Sequence, residues 1–538
     1  MYTLTDTADK SIIIAAIEKV VDRITSTMGP EGRYVIIDAV NQVLATKDGV
    51  SVARWQSYED PFEALGSKMV IDACSRTEKV AGDGTTLTAL LIAEFIKAGL
   101  EDADKHSPSR AVVRMKEFVD NINLKLTEIS RPVVINGEID FNLLSAVATT
   151  SADGRKDIAL PIVEMIKKVG PYGMIKVQES NMDYIETEVR NGYSLDVGAV
   201  SEGFFNAPNR CEYENPLVVI INDRIELIET LQGVLEGWNR KYARHNEGLP
   251  PQRPLVIFCN AMYGDALATL VQNSKRGYPV CVIRTPHSGD LARQVLEDIR
   301  IVTQTDRVFD VLSGDRLKDF GEDYDEFGSC LKIEATKNST AIYFDKEQIT
   351  KKGILGELIE KRVKAIEALI EKEPNMEQIY RSRIARLTTG IGVIKAGAPT
   401  DMEKSNTKTA IDDTQLACFA ACKYGVVPGG GMAIPLAAKD IFHGYQDLVR
   451  SAFNKIIENA ETGAEADDLF NLCIANKGLT ITFQEGQIQT IDSFDAGILD
   501  ATLSIQSAIT NAASVATQII RTKYFQIVKV NEKARATQ

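Results

Sequence analysis

Ile13, Ile17, Val20, Val21 and Ile24 recur at the spacing of one helical face, so residues 11–27 are expected to form an amphipathic helix. Gly29 and Pro30 stop it. Tyr34-Val35-Ile36-Ile37 then predicts a short buried strand, and the Leu- and Ala-rich stretch 85–98 a second helix, with further helices at 109–129 and 158–169. This first block is mainly helical. The pattern changes near Lys176. Residues 174–190 alternate and carry β-branched side chains, and 216–221, 255–258 and 280–283 are continuous apolar runs of strand length. Helical stretches at 225–238, 264–274 and 289–302 lie between them. Such alternation implies a layered α/β domain. A long amphipathic helix follows at 354–373, and helical character dominates from Thr407 onward. In its last helix, 501–520, Leu503, Ala508, Ile509, Ala512, Val515, Ala516 and Ile519 recur on successive turns. The middle therefore reads as an α/β insertion between two helical halves, which could fold together as one discontinuous domain.

A chain of 538 residues exceeds one compact domain, and two to four are expected. The net charge of -14, with no dense Lys/Arg block, speaks against nucleic acid as a partner. Asp6, Asp9, Lys10 and Glu18 interrupt any early apolar run, and no later run reaches membrane-spanning length, so a cytoplasmic protein with no membrane partner is expected. The eight cysteines include no CxxC. Cys418 and Cys422, one helical turn apart, read as small buried side chains rather than a metal or redox pair, and the four histidines form no ligand-spaced cluster.

The stretch richest in chemistry is Gly82-Asp83-Gly84-Thr85-Thr86. Glycines admit close backbone approach to a ligand, the following helix start offers N–H groups to an anion, and the threonines add hydroxyls. Asp83 would repel phosphate unless a cation stood between them, which suggests Mg²⁺ on Asp83 and phosphate on the backbone. Thr27-Met28-Gly29-Pro30-Glu31-Gly32 and Thr46-Lys47-Asp48-Gly49-Val50 are two more polar turns, and three such loops in the first 90 residues point to a shared ligand site. No Walker A motif occurs, so an ordinary P-loop ATPase is not expected. Val426-Val427-Pro428-Gly429-Gly430-Gly431 is costly to order, and is expected either to be disordered or to lie pressed against something flat, such as a base or ribose. Just before it, Asp412-Asp413 is expected to open a helix, and one of the pair could orient a water for attack on phosphate.

Taken together, residues 27–32, 46–51, 82–86, Asp413, 426–431 and Gly497-Ile498-Leu499-Asp500 resemble group I chaperonins of the GroEL type, in order from about residue 10 to about residue 522. The resemblance implies a multi-domain subunit. A mainly α-helical equatorial ATPase domain would comprise 1–132 and 424–538. A small α/β intermediate domain would comprise 133–190 and 392–423, and a layered α/β apical domain 191–391. It implies an ATP-dependent folding machine: a homo-oligomeric ring, seven subunits per ring, that captures non-native client proteins. The alternative is a ring-forming binding or structural protein without productive folding. By resemblance Thr27, Gly29 and Pro30 touch nucleotide near a potassium ion (K⁺), Lys47 belongs to the phosphate region, and Asp48 helps position the attacking water. Asp83 is the Mg²⁺ ligand, and Gly84, Thr85 and Thr86 cradle phosphate, with Leu87 replacing a third threonine. Asp413 is the aspartate essential for hydrolysis, Gly430 lies near the nucleotide, and Asp500 binds the ribose hydroxyls. Gly192 and Gly390 match hinge glycines.

The resemblance also implies an exposed apical groove for clients and for a co-chaperonin, lined by Phe204, Leu231, Val234, Leu235, Leu267 and Val271. Here the chain departs from the family. Ala199 and Gly203 stand at two positions that are often aromatic, Gln272 replaces an apolar residue, and a co-chaperonin is the less secure of the two partners. Residues 241–254 read as a longer loop than the family pattern, and the end of the chain lacks a Gly-Gly-Met tail.

Overall fold

The computed structural model describes residues 2–530 apart from 40–41, 56–57, 136, 172, 243–252, 311–316, 318–326, 351, 440, 442, 462, 464, 477 and 485–486. Most of the long loop expected at 241–254, and the end of the chain from 531, lie outside the described residues. Two compact units emerge. The first comprises Met1–Glu164, Val177–Thr187 and Ile394–Gln538, and the second Met165–Lys176 and Glu188–Val393. The α/β middle is thus inserted into a discontinuous helical unit.

The helical unit is built on helices Lys10–Thr25, Pro61–Ala81, Thr85–Lys105, Pro108–Ile129 and Thr502–Arg521. The last packs along the three before it. It can do so because its inner face is small: Ala508, Ala512, Ala513 and Ala516 are all buried. On Thr85–Lys105, a Cβ at Gly99 would come within 2.2 Å of Ile520 Cδ1, so the two helices meet where one has no side chain. Asp60 and Ser107 cap the helices that begin at Pro61 and Pro108, each accepting from an N–H of the first turn. Two expectations need correction. Strand Val35–Ala39 is not buried. Among the described residues it pairs with Gln42–Thr46 alone, and Ile36 is 73% exposed. Asp412 and Asp413 do not open a helix but sit in the middle of Asp401–Tyr424, which Thr400 caps.

In the second unit the three apolar runs form parallel strands Leu217–Ile225, Leu255–Met262 and Val280–Arg284, with Gly328–Ser329 added antiparallel at the edge. All are buried on both faces, which is why they read as continuous apolar runs rather than alternating ones. A second, antiparallel sheet orders Gly192–Leu195, Thr340–Tyr343, Lys332–Ala335 and Cys211–Glu214. The helix expected at 225–238 is displaced. The strand runs on to Ile225, a 3₁₀ turn covers Ile228–Leu231, and the α-helix is Gln232–Tyr242.

Candidate nucleotide site

The Gly82–Gly84 pair turns the chain sharply between two long helices. Gly82 takes φ 74° and ends Pro61–Ala81; Gly84 takes φ 90° and starts Thr85–Lys105. A Cβ at Gly82 would sit 2.1 Å from Leu416 Cβ, so only glycine fits against the helix that carries Asp413. The start of Thr85–Lys105 has no side-chain cap, so its first N–H groups remain available to an anion. Asp83 Oδ1 already accepts from Gly84 N–H at 2.5 Å.

Around this turn lies a cavity of about 650 Å³, the size of a nucleotide pocket. Its lining includes every nucleotide-site residue expected from the sequence: Thr27, Gly29, Pro30, Lys47, Asp48, Asp83, Gly84, Thr85, Thr86, Asp413, Gly430 and Asp500. These come from six separate stretches of chain, all within the helical unit.

Each stretch is held by local chemistry. Thr27 is buried and donates its hydroxyl to Ile24 O at 2.7 Å, closing its helix, so a ligand would meet this turn through its backbone. Asn459 pins the same turn, donating to Thr25 O at 2.8 Å and Met28 O at 2.9 Å. Asp48 Oδ2 accepts Ser51 N–H at 2.8 Å, and its Oδ1 accepts the Thr85 hydroxyl at 3.3 Å, which fixes the carboxylate beside the glycine turn. Lys47 Nζ lies 3.8 Å from Asp153 Oδ2 and 5.4 Å above the Tyr34 ring. Asp500 faces Val427 across a short antiparallel pair of strands. The triple glycine packs closely against protein, and a Cβ at Gly430 would lie 2.2 Å from Thr480 Oγ1. A Cβ at Gly431 would lie 2.7 Å from the Phe453 backbone nitrogen.

The carboxylates raise one another. Burial, then the charges of Asp48 and Asp83, hold Asp413 well above the usual carboxylate range. Burial and then Asp83 push Asp500 up to about 7. Burial also raises Asp83, against the Gly84 N–H that favours its charge and with Asp153 and Asp48 adding to the rise. Acids gathered in this way are relieved by an incoming cation. Among the described residues no group of three or more potential ligands forms a closed metal cage. Asp83, a buried carboxylate at the glycine turn beside open helix N–H groups, fits an ion that takes one carboxylate and completes its shell with other oxygens, as Mg²⁺ does.

Sequence reasoning missed two walls. The segment 149–155 lines the cavity, as do Asn406 and Thr409, which share one face of Asp401–Tyr424 with the expected Asp413. The spacing of 406, 409 and 413 was available as a signal. An apolar end formed by Ile456, Ile481 and Phe483 carried none, because such residues are equally at home in a core.

The expected client groove fares differently. Phe204, Leu231 and Val234 are fully buried in the core of the α/β unit, so they do not line an open groove. Leu231 lies on the 3₁₀ turn that tucks under Gly264–Lys275, not on a helix face shared with Leu235. Leu235, Leu267 and Val271 are half-buried against the same core. Val271 also fills the space over Gly203, where a Cβ would come within 2.5 Å of its Cγ1. The exposed apolar side chains nearby are Leu227, 56% exposed, and Tyr263, 44% exposed. The Tyr263 N–H donates to Ile225 O at 3.1 Å, two residues before Leu227.

Residues 20–236 match the model of the TCP-1/cpn60 chaperonin family. In fold the chain is similar to the chaperonin gp146 of bacteriophage EL 2 (Pseudomonas aeruginosa), crystallised in the presence of ATP-BeFx. One crystal form matches at TM-score 0.75 and 20% identity, covering 98% of this chain and 100% of that one. A second form matches at TM-score 0.65 and 19% identity with the same coverage.

Proposed function

We propose that this chain, a divergent GroEL-like chaperonin by family pattern and fold, is an ATPase subunit that captures non-native proteins and promotes their folding in a ring cavity. The observation that carries the ATPase reading is the convergence of twelve motif residues from six chain segments on one cavity. In this reading the 1–132 and 424–538 segments are the equatorial domain, 133–190 and 392–423 the intermediate domain, and 191–391 the apical domain. Seven subunits form each ring.

Hydrolysis needs the phosphates neutralised and a water aligned. The open start of Thr85–Lys105, with the Thr85 N–H and the Thr86 hydroxyl, binds phosphate oxygens. Mg²⁺, held by Asp83, would supply the charge that lets phosphate approach these acids, and K⁺ would sit beside the 27–30 turn. Asp48, with both oxygens oriented by Ser51 and Thr85, directs the water. Asp413, which lines the same cavity from helix Asp401–Tyr424, orients the water with Asp48 and takes a proton from it. Asp500 receives the ribose hydroxyls, and Gly430 lies against the nucleoside.

Client capture is assigned to the α/β unit at Leu227 and Tyr263, with Leu235, Leu267 and Val271 beneath them. The decisive experiment is parallel measurement of ATP binding, phosphate release and suppression of client aggregation by the purified protein, with electron microscopy of its assemblies. Saturable ATP turnover and rings that lower client aggregation are expected. Rings that neither bind nor turn over ATP would overturn the ATPase reading, and turnover without client refolding would leave a ring-forming binding protein.

A further inference from the structure

Arg155 lines the cavity, and neither the sequence motifs nor the family resemblance assign it a role. It follows Asp153 at φ 51° and Gly154 at φ 78°, two successive left-handed residues that reverse the chain after helix Phe141–Ser151. The reversal places Arg155 immediately before helix Lys156–Val169.

The charges of the wall give this arginine a purpose. Among the described lining residues the acids are Glu31, Asp48, Asp83, Asp153, Asp413 and Asp500, and the cations are Lys47 and Arg155. Lys47 already faces Asp153 at 3.8 Å. A triphosphate brings several further negative charges to the same wall. Arg155 is anchored differently from Lys47. Its Nη2 lies 2.7 Å from Asp157 Oδ2, and Asp157 is not part of the wall. The anchor orients the guanidinium without adding a carboxylate to the cavity, while the guanidinium's charge, after that of Lys47, also acts on Asp153. Arg155 is half-buried and Asp157 exposed, so the pair itself adds little to stability. A guanidinium carries five N–H donors in a planar fork, enough to keep Asp157 and bind phosphate oxygens together.

We propose that Arg155 is a catalytic residue of ATP hydrolysis in this chain: its guanidinium binds the γ-phosphoryl oxygens and stabilises their charge in the transition state. The water oxygen forms the new bond to phosphorus. The bond from phosphorus to the bridging oxygen breaks, and its electron pair leaves on the β-phosphate of ADP. The water proton passes to the carboxylate wall and then to solvent, while Arg155 keeps its protons throughout. This inference rests on the reading of the cavity as an ATP site.

The test compares wild type with Arg155→Ala, Arg155→Gln and Arg155→Lys. ADP affinity, affinity for a non-hydrolysable ATP analogue, and the turnover rate are measured separately, with a thermal melt as a control for folding. For Arg155→Ala and Arg155→Gln, turnover should fall by about 100-fold, the scale for loss of a preorganised charge at a transferring group. Analogue affinity should fall about 10-fold and ADP affinity by less than about 3-fold, as a contact to the γ-phosphate alone requires. Arg155→Lys should restore analogue binding and only part of the turnover, since a point charge replaces a fork. If Arg155→Ala does not fold, the glutamine and lysine variants carry the comparison. Equal losses for ADP and analogue, or unchanged turnover, would overturn the proposal. A wild-type protein that binds neither nucleotide would instead overturn the ATP-site reading itself.

Discussion

The cavity of the helical unit and the flank of the α/β unit both stand out in the sequence as binding surfaces, but they are built from opposite materials. The cavity is made of glycines, threonines and aspartates at the ends of helices, and the structure gathers all twelve expected residues around one space. The flank was expected from apolar side chains at helical spacing, and the structure sends Phe204, Leu231 and Val234 into the core. A buried carboxylate is costly and needs a reason to be there, whereas a leucine at helical spacing satisfies a core and a groove equally. The sharpest tests are those that make the two regions fail in different ways.

The largest effect is expected at Asp413. Asp413→Ala should lower ATP turnover by about 100- to 10,000-fold, the range for loss of an acid–base group, while nucleotide still binds. Phosphate release and equilibrium nucleotide binding, measured on the same preparation, check this. Near-normal turnover would remove Asp413 from the chemistry and leave the cavity a binding site only.

On the other side of the comparison, Leu231→Ser should act on folding rather than on function. It deletes a fully buried side chain and leaves a hydroxyl among apolar neighbours, at a cost of about 3–5 kcal/mol. Leu227→Ser, at an exposed position, should change stability by less than about 0.5 kcal/mol and weaken client capture. Thermal melts and client-aggregation assays on the two variants separate core from surface. If Leu231→Ser melts like wild type, the core placement of that residue is wrong.

Much of the fold was legible because packing leaves periodic marks. The helices at Lys10–Thr25, Thr85–Lys105 and Thr502–Arg521, and the three parallel strands, follow directly from apolar spacing. The helix expected at 225–238 failed because Ile225 and Leu231 are apolar for different reasons, one closing a strand and the other plugging the core from a 3₁₀ turn. Ile36 was expected to be buried in its strand, yet its two-stranded ribbon has no second layer to cover it. In the cavity, loops with unusual glycines and acids were legible, and Arg155 was not. A lone arginine after an Asp-Gly turn carries no spacing signal, and only the chain reversal brings it to the wall.

A smaller effect is expected at the metal. Asp83→Ala should weaken Mg²⁺-ATP binding by about 10-fold and leave Mg²⁺-free nucleotide binding nearly unchanged, because one carboxylate ligand is lost while the backbone phosphate contacts remain. Nucleotide affinity titrated with and without Mg²⁺ is the measurement. An unchanged magnesium dependence would remove Asp83 as the ligand while leaving Asp413 in place.

The smallest effect sharpens the contrast within a single helix. Asp412 is the neighbour of Asp413 but does not line the cavity, so its charge has no ligand to serve. Burial pushes its pKa up to about 6, and Lys408, one turn earlier, offsets only part of the rise. The folded protein therefore holds this proton more tightly than the unfolded chain, whose aspartates titrate near about 3.9. Whatever stability the protonated carboxyl contributes is fully present below about pH 4. It is lost as pH rises through about 6, and the full cost persists above that. Asp412→Asn keeps the shape and removes the titration. Allowing for partial exposure to solvent, it should stabilise the protein by about 1–2 kcal/mol at pH 7.5 and by nearly nothing at pH 4. Denaturant unfolding of both proteins at the two pH values gives the comparison. Turnover at pH 7.5 should stay within about 2-fold of wild type, because Asp412 faces away from the site that its neighbour serves. A gain in stability of equal size at both pH values would show that the effect comes from helix propensity or packing. A large loss of turnover would show that the two aspartates act as a pair, and the division between a structural and a chemical carboxylate on this helix would fail.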